Sequence, residues 1–109
     1  IKEHLGHPAF VEKCLAEIEL HSRKNHDYAG NGDPLGNFKR VANILSMYPK
    51  LDMSDAAIVA IVYALKQLDA YLWLKSNGHE AQCEGTAARL RDISVYVKLT
   101  EILDDEGVK

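Results

Sequence analysis

The apolar residues of this chain recur at intervals of three and four along most of its length, which is the spacing of one face of an α-helix. The first such segment predicts a helix from Pro8 to Asn25 or His26, because proline is favoured in the first turn. The residues that follow, 27–34, are rich in Gly, Asn, Asp and Pro and predict a loop. The predicted inner face of the helix is Phe10, Val11, Cys14, Leu15 and Ile18, with Leu20 beside them.

Three further segments predict helices. Residues 36–46 are predicted to form a short helix, whose inner face is Phe38, Val41, Ala42 and Leu45. The next is apolar nearly all round from residue 56 to residue 65, which is typical of a central helix; Ser54 is its predicted N-cap and Gly78 its stop. The last is expected to begin near residue 83 or 84 and to end near residue 105.

No segment alternates with a period of two for long enough to predict a strand. The expected fold is therefore all-α: one domain spanning residues 1–109, built as a small bundle of three long helices and one short helix.

The composition of the chain limits the classes of function and partner that are expected. The 13 basic and 16 acidic residues are scattered and give a net charge of −3, so a nucleic-acid partner is not expected. Cys14 and Cys83 are isolated, which favours a reducing cytoplasm. We see no signal peptide at the start and no apolar run of about 18 residues or more, so no membrane association is expected.

Two charges interrupt the apolar central helix. Lys66 and Asp69 are three residues apart and therefore lie on one side of it. A buried, unpaired charge costs several kcal/mol, so such groups are usually paired, bound to metal or functional. One interpretation is an ion pair within the helix. The other is a polar pocket, in which Lys66 binds phosphate and Asp69 binds a metal or orients the lysine.

Two acids occupy one stripe of the last helix. Glu84 and Asp92 are eight residues apart, so their carboxylates are separated by about 12 Å and cannot hold one ion together. They could serve opposite ends of a ligand, or one could pair with Lys66. Glu84 could instead be a first-turn acid that suits the helix dipole, and Asp92 could pair with neighbouring arginines. The stripe continues with Ala88, Val95 and Leu99.

A polar segment joins the first two helices and is the third candidate. Lys24, Asp27 and Tyr28 precede the glycine-rich stretch, and Asn37 and Lys39 follow it. Loops of this kind on a rigid scaffold often bind ligands: the lysines can meet a phosphate, and the tyrosine can stack and donate a hydrogen bond. The alternative is that the acid and amide side chains cap turns while the aromatic ring fills the bundle.

Together these elements resemble a group of small phage and prophage proteins that occur near nucleotide-modification genes. More remotely, they are similar to the all-α nucleoside triphosphate pyrophosphohydrolases, the MazG and dimeric dUTPase-like group. The resemblance covers about residues 10–103. It is carried by Lys24-x-x-Asp27-Tyr28-Ala29-Gly30, Asp33-Pro34-Leu35-x-Asn37-Phe38, Lys66-x-x-Asp69 and Glu84-Gly85-(x)6-Asp92-(x)3-Tyr96.

The resemblance implies Mg²⁺-dependent hydrolysis of a nucleoside triphosphate to the monophosphate and diphosphate in a bacterial cytoplasm. Asp69, Glu84 and Asp92 would then lie near Mg²⁺, with Asp92 catalytic and Lys24 or Lys66 on phosphate. The sequence departs from that pattern, because Lys66-x-x-Asp69 stands where those enzymes have an acidic pair, and Ala88 stands where many of the phage relatives have a further aspartate.

Three hypotheses follow: a pyrophosphohydrolase, a nucleotide-binding protein without turnover that sequesters or senses its ligand, and a structural protein whose charges fix helix register. The expected ligand of the first two is a nucleotide or another phosphate-bearing small molecule. Apolar residues on more than one side of the last two helices also predict a homo-oligomer.

Overall fold

The computed structural model describes residues 5–29, 32–78 and 85–107. Within them the chain forms four α-helices and no strand, which confirms the all-α prediction. The helices are α1 (Pro8–Tyr28), α2 (Gly36–Ser46), α3 (Ala56–Asn77) and α4 (Thr86–Glu106).

The first helix is longer than predicted. It continues through Tyr28, so Asp27 and Tyr28 lie on its last turn and not in a loop. Its start is set by His7, whose Nδ1 accepts a hydrogen bond from the backbone N–H of Ala9 at 3.1 Å, with Pro8 next in the first turn. The polar residues at its end therefore have fixed positions relative to α3.

The other boundaries refine the prediction. The N-cap of α3 is Asp55, which accepts from the N–H of Ala57 at 3.0 Å, while Ser54 bonds to Asp52 instead. Gly78 adopts the left-handed conformation, with φ 66°, that ends α3 as expected. The helical part of α4 begins at Thr86, and the predicted starting residues 83 and 84 lie outside the described residues.

The central helix, α3, contacts the other three helices. α4 packs along one side of it, where the rings of Tyr63 and Tyr96 meet edge to face at 5.6 Å and Arg89 donates to the side-chain oxygen of Gln67. On another side, α2 packs against α3 through a group of charged and amide side chains.

Asp69 is the centre of that group. Its carboxylate accepts from Arg40 Nε and Nη2, each at 2.8 Å, and from Asn37 Nδ2 at 2.8 Å. Asn37 also donates to the backbone oxygen of Lys66 at 3.2 Å. Of the two interpretations of Lys66 and Asp69, the ion pair within the helix is therefore not the one observed, because the planar guanidinium of Arg40 and the amide of Asn37 bond to the carboxylate instead.

Trp73 extends the contact to the end of α1. Its indole N–H donates to the backbone oxygen of Ala29 at 2.8 Å, and the Arg40 guanidinium lies 4.1 Å from the centre of its ring. At Gly32, an added Cβ would lie 2.6 Å from the indole. The connection between α1 and α2 is thus held against α3.

Several predicted inner faces are not buried. Within α1 the buried residue is Asp27, and Phe10, Leu15 and Ile18 are exposed. The reason is that α1 meets the rest of the chain at its C-terminal end, so its first turns lie outside the bundle. On α2, Phe38 is 65% exposed although it was placed on the inner face.

By length and composition alone, α3 could cross a membrane, with a mean hydropathy of 1.4 over its most apolar window. No membrane-spanning segment was expected from the sequence. Core helices of soluble proteins meet the same criterion, and α3 carries a buried carboxylate bonded to a neighbouring helix.

We expect Asp69→Asn to lower the free energy of unfolding by about 2–3 kcal/mol, because the Arg40 guanidinium would lose its charged partner in a partly buried position. Urea denaturation measures this. The matched control is Asp33→Asn, which removes another aspartate that pairs with α2 but at an exposed site, and should lower the free energy of unfolding far less. Equal effects of the two substitutions would contradict the assignment of Asp69 as the main polar contact between α2 and α3.

Candidate functional site

A small cleft lies where the end of α1, the start of α2 and the middle of α3 meet. Its volume is about 170 Å³. It opens to solvent and contains both aromatic and cationic side chains. The described residues that line it are His21, Lys24, Asn25, Tyr28, Pro34, Asn37, Phe38 and Lys66.

The fold brings four of the predicted ligand-binding residues together in this cleft. Lys24 and Tyr28 come from α1, one turn apart, Asn37 from the first turn of α2, and Lys66 from α3. They are far apart in sequence, and it is the contact between Asp69 and α2 that places Asn37 beside the α3 backbone. The cleft therefore depends on that contact.

Two predicted ligand-binding residues are not part of the cleft lining. Asp27 is 1% exposed and lies in the interior. Lys39 forms an exposed ion pair with Asp33, with Nζ 2.6 Å from the carboxylate. Asp33 also accepts from the backbone N–H of Leu35 at 2.9 Å just before α2, so this pair stabilises the start of the helix.

Tyr28 organises the cations around the cleft. The Lys66 ammonium lies 4.9 Å from the centre of its ring, and the Arg89 guanidinium lies 4.8 Å from the same point. Arg89 is 1% exposed, whereas Lys66 remains accessible. The ring thus holds the Lys66 side chain beside the cleft by a cation–π interaction. With Tyr28 already engaged, the exposed ring of Phe38 is the better surface for stacking a ligand.

The side-chain amide of Asn37 is used mainly in hydrogen bonds within the protein. Its amide nitrogen donates to Asp69 and to the Lys66 backbone oxygen, which uses both of its N–H groups. A ligand in the cleft could therefore reach only its side-chain oxygen. The other donors that line the cleft are the lysine ammonium groups, the imidazole of His21, the side-chain amide of Asn25 and the hydroxyl of Tyr28.

The predicted metal ligands are not brought together by the described residues. Asp69 is bonded to Arg40 and Asn37, Asp92 is exposed on α4, and Glu84 lies outside the described residues. Across the described ranges, no three His, Cys, Asp or Glu side chains are arranged to hold a metal ion. Asp69 and Asp92 as placed here do not fit a shared Mg²⁺ site.

The exposure of Asp92 corrects the expected orientation of α4. The sequence stripe that contains it, with Val95 and Leu99, was expected to face the bundle, but all three are exposed. The face of α4 that meets α3 is displaced from that stripe by one residue, about 100° around the helix axis. That face consists of Arg89, Ile93, Tyr96, Thr100 and Leu103.

Sequence reasoning missed three residues that shape the site: Arg40, Trp73 and Arg89. Arg40 could have been found, because it follows Asn37 by three residues and so shares its helix face with the predicted ligand residue. Arg89 was considered only as a surface partner of Asp92, and its burial against Gln67 and Tyr28 has no local sequence signal. Trp73 was not considered as part of a site.

No protein-family model, curated protein or solved structure matches this chain.

The Lys39 ammonium, the backbone N–H of Leu35 and the charge of Arg40 hold the pKa of Asp33 below its ordinary value of 3.8. Because the pKa is lowered in the folded state, the stabilisation is present above pH 3.8 and is lost as the pH falls through the folded-state pKa. We expect NMR titration to place the Asp33 carboxyl below 3.8 and Lys39→Gln to raise its pKa towards that value. An unchanged pKa in the variant would show that the lysine is not the main cause.

Proposed function

We propose that this protein binds a small phosphate-bearing ligand of the nucleotide type in the cleft between α1, α2 and α3, without turning it over. The observation that carries the proposal is the composition of the cleft. Lys24 and Lys66 lie on it from two different helices, while no carboxylate lines it among the described residues. A cleft with cations and no acids favours an anion.

The cationic side chains supply affinity for phosphate. Each lysine ammonium carries three N–H donors, and hydrogen bonds between charged groups are about twice as strong as neutral ones. Lys66 is held in place by the Tyr28 ring, so less side-chain freedom is lost when it binds a ligand. His21 adds a third nitrogen-bearing side chain on the same cleft.

The aromatic and apolar side chains supply a surface for the rest of the ligand. Phe38 and Pro34 border the same cleft, and Phe38 is 65% exposed. A base or another flat ring can pack on such a side chain, as aromatic residues often do in nucleotide recognition. The combination of phosphate donors at one side and a free ring at the other is what supports a nucleotide over inorganic phosphate.

Binding without turnover is preferred over Mg²⁺-dependent hydrolysis because of where the acids lie. Asp69 is occupied by Arg40, and Asp92 is exposed on α4 and does not line the cleft. The hydrolase suggested by the family resemblance remains a prediction that the same experiment tests.

We expect isothermal titration of nucleoside mono-, di- and triphosphates to find binding that weakens about tenfold in each of Lys24→Gln and Lys66→Gln, the loss typical of one charged hydrogen bond. Lys13→Gln is the matched control, because Lys13 is exposed on α1 and does not line the cleft. Circular dichroism checks that each variant stays folded.

Chromatography after incubation with Mg²⁺ distinguishes the two functions. Recovery of intact ligand supports the binding function, and release of diphosphate replaces it with the hydrolase. If the wild-type chain binds none of these nucleotides, or if the Lys13 variant weakens binding as much as the others, the cleft is not the site.

A further inference from the structure

The central helix carries a second sequence pattern, independent of the cleft. Five large aliphatic residues recur along α3 at alternating intervals of three and four: Ile58, Ile61, Leu65, Leu68 and Leu72. We call this row the α3 seam. A 3-4-3-4 repeat of Ile and Leu is the pattern by which two helices pack side by side. It spans 15 positions, or about 21 Å of helix.

α2 borders the first half of the seam, and the other described helices leave its second half open. α4 meets α3 through Tyr63 and Gln67, and α2 meets it through Asp69, none of which belongs to the seam. Ile61, Leu68 and Leu72 are exposed. Along its first half the seam forms one wall of an apolar groove of about 310 Å³, whose other wall is Ile44, Leu45, Tyr48 and Leu51.

The whole chain exposes more surface than a folded monomer of its size. Its accessible surface is 8066 Å², about 2,000 Å² more than expected for a monomer of 12.2 kDa. Its radius of gyration is 17.5 Å, compared with about 13 Å for a compact domain of this length. If two chains each buried that excess, the interface would total about 4,000 Å², within the range of obligate homodimers.

We propose that a second copy of this chain covers the α3 seam, so that α3 packs against α3 of the partner in a two-fold homo-oligomer. The same patch then serves both copies, as in most soluble homo-oligomers. Each seam residue would pack between seam residues of the other copy, and the α2 wall of the groove would extend the contact. Apolar side chains are also exposed on α1 and α4, among them Leu15, Ile18, Val95 and Ile102.

The occupant is a second copy and not a lipid bilayer because polar side chains interrupt the surface of α3 outside the seam. Elsewhere the helix presents Lys66 at the cleft, Asp69 to Arg40 and Gln67 to Arg89. A spanning helix would have to place these groups in hydrocarbon, at a cost of several kcal/mol for each unsatisfied one.

Light scattering coupled to size-exclusion chromatography tests the proposal with two matched variants. Leu68→Glu places a charge on the seam, where Leu68 is 40% exposed; Leu90→Glu places one at an equally exposed leucine of α4 (44%) outside it. We expect the wild-type chain to have at least twice the mass of one chain at tens of micromolar. Leu68→Glu should reduce that mass and Leu90→Glu should leave it unchanged, with helical circular dichroism retained in both.

A second pair of variants guards against misfolding. Leu72→Glu, at a still more exposed seam position, should act like Leu68→Glu, and Leu72→Met should retain the wild-type mass. A wild-type chain that is monomeric, a seam variant that assembles normally, or a Leu90 variant that dissociates equally overturns the proposal. Flotation of a monomeric wild-type chain with phosphatidylcholine vesicles would assign the seam to a membrane surface instead.

Discussion

The carboxylate of Asp69 is the interaction on which the rest of the site depends. It accepts two hydrogen bonds from Arg40 and one from Asn37, and so joins a short helix of 11 residues to α3, the longest of the described helices. A helix this short is only marginally stable alone, so its position must come from contacts of this kind. The stacking of Arg40 on Trp73, and the bond from Trp73 to Ala29, continue the connection to the end of α1. One buried acid thereby fixes three helices relative to one another.

The cleft is a consequence of this arrangement. Once α2 is fixed on α3, Phe38 and Asn37 lie opposite Lys24 and Tyr28, and Lys66 is held beside them by the Tyr28 ring. The negative charge of Asp69 is neutralised by Arg40, so the lysines of the cleft remain available for an external anion. The acid stabilises the fold, and in the proposed function the ligand is bound by the lysines that do not pair with that acid.

The helices could be predicted from the sequence because their signals are local: apolar spacing, Pro8 at a start and Gly78 at a stop. Lys24, Tyr28, Asn37 and Lys66 could also be identified, since polar side chains beside helix ends and in an apolar helix stand out. The pairing of Asp69 with Arg40 could not, because these residues are 29 positions apart and only tertiary packing decides which cation reaches the acid. The exposed faces of α1 and α4 were predicted wrongly for another reason. The sequence spacing of an apolar row is the same whether the row packs within one chain or between two chains.

The most direct test of this account is a two-dimensional NMR titration of the ¹⁵N-labelled chain with a nucleoside monophosphate in the absence of added metal. We expect the largest chemical-shift changes at the amides of the residues that line the cleft: His21, Lys24, Tyr28, Asn37, Phe38 and Lys66. The amide signals around Asp92 and the α3 seam should not change. Changes centred on Asp92, or changes that occur only after Mg²⁺ is added, would contradict a metal-independent anion site in the cleft between α1, α2 and α3.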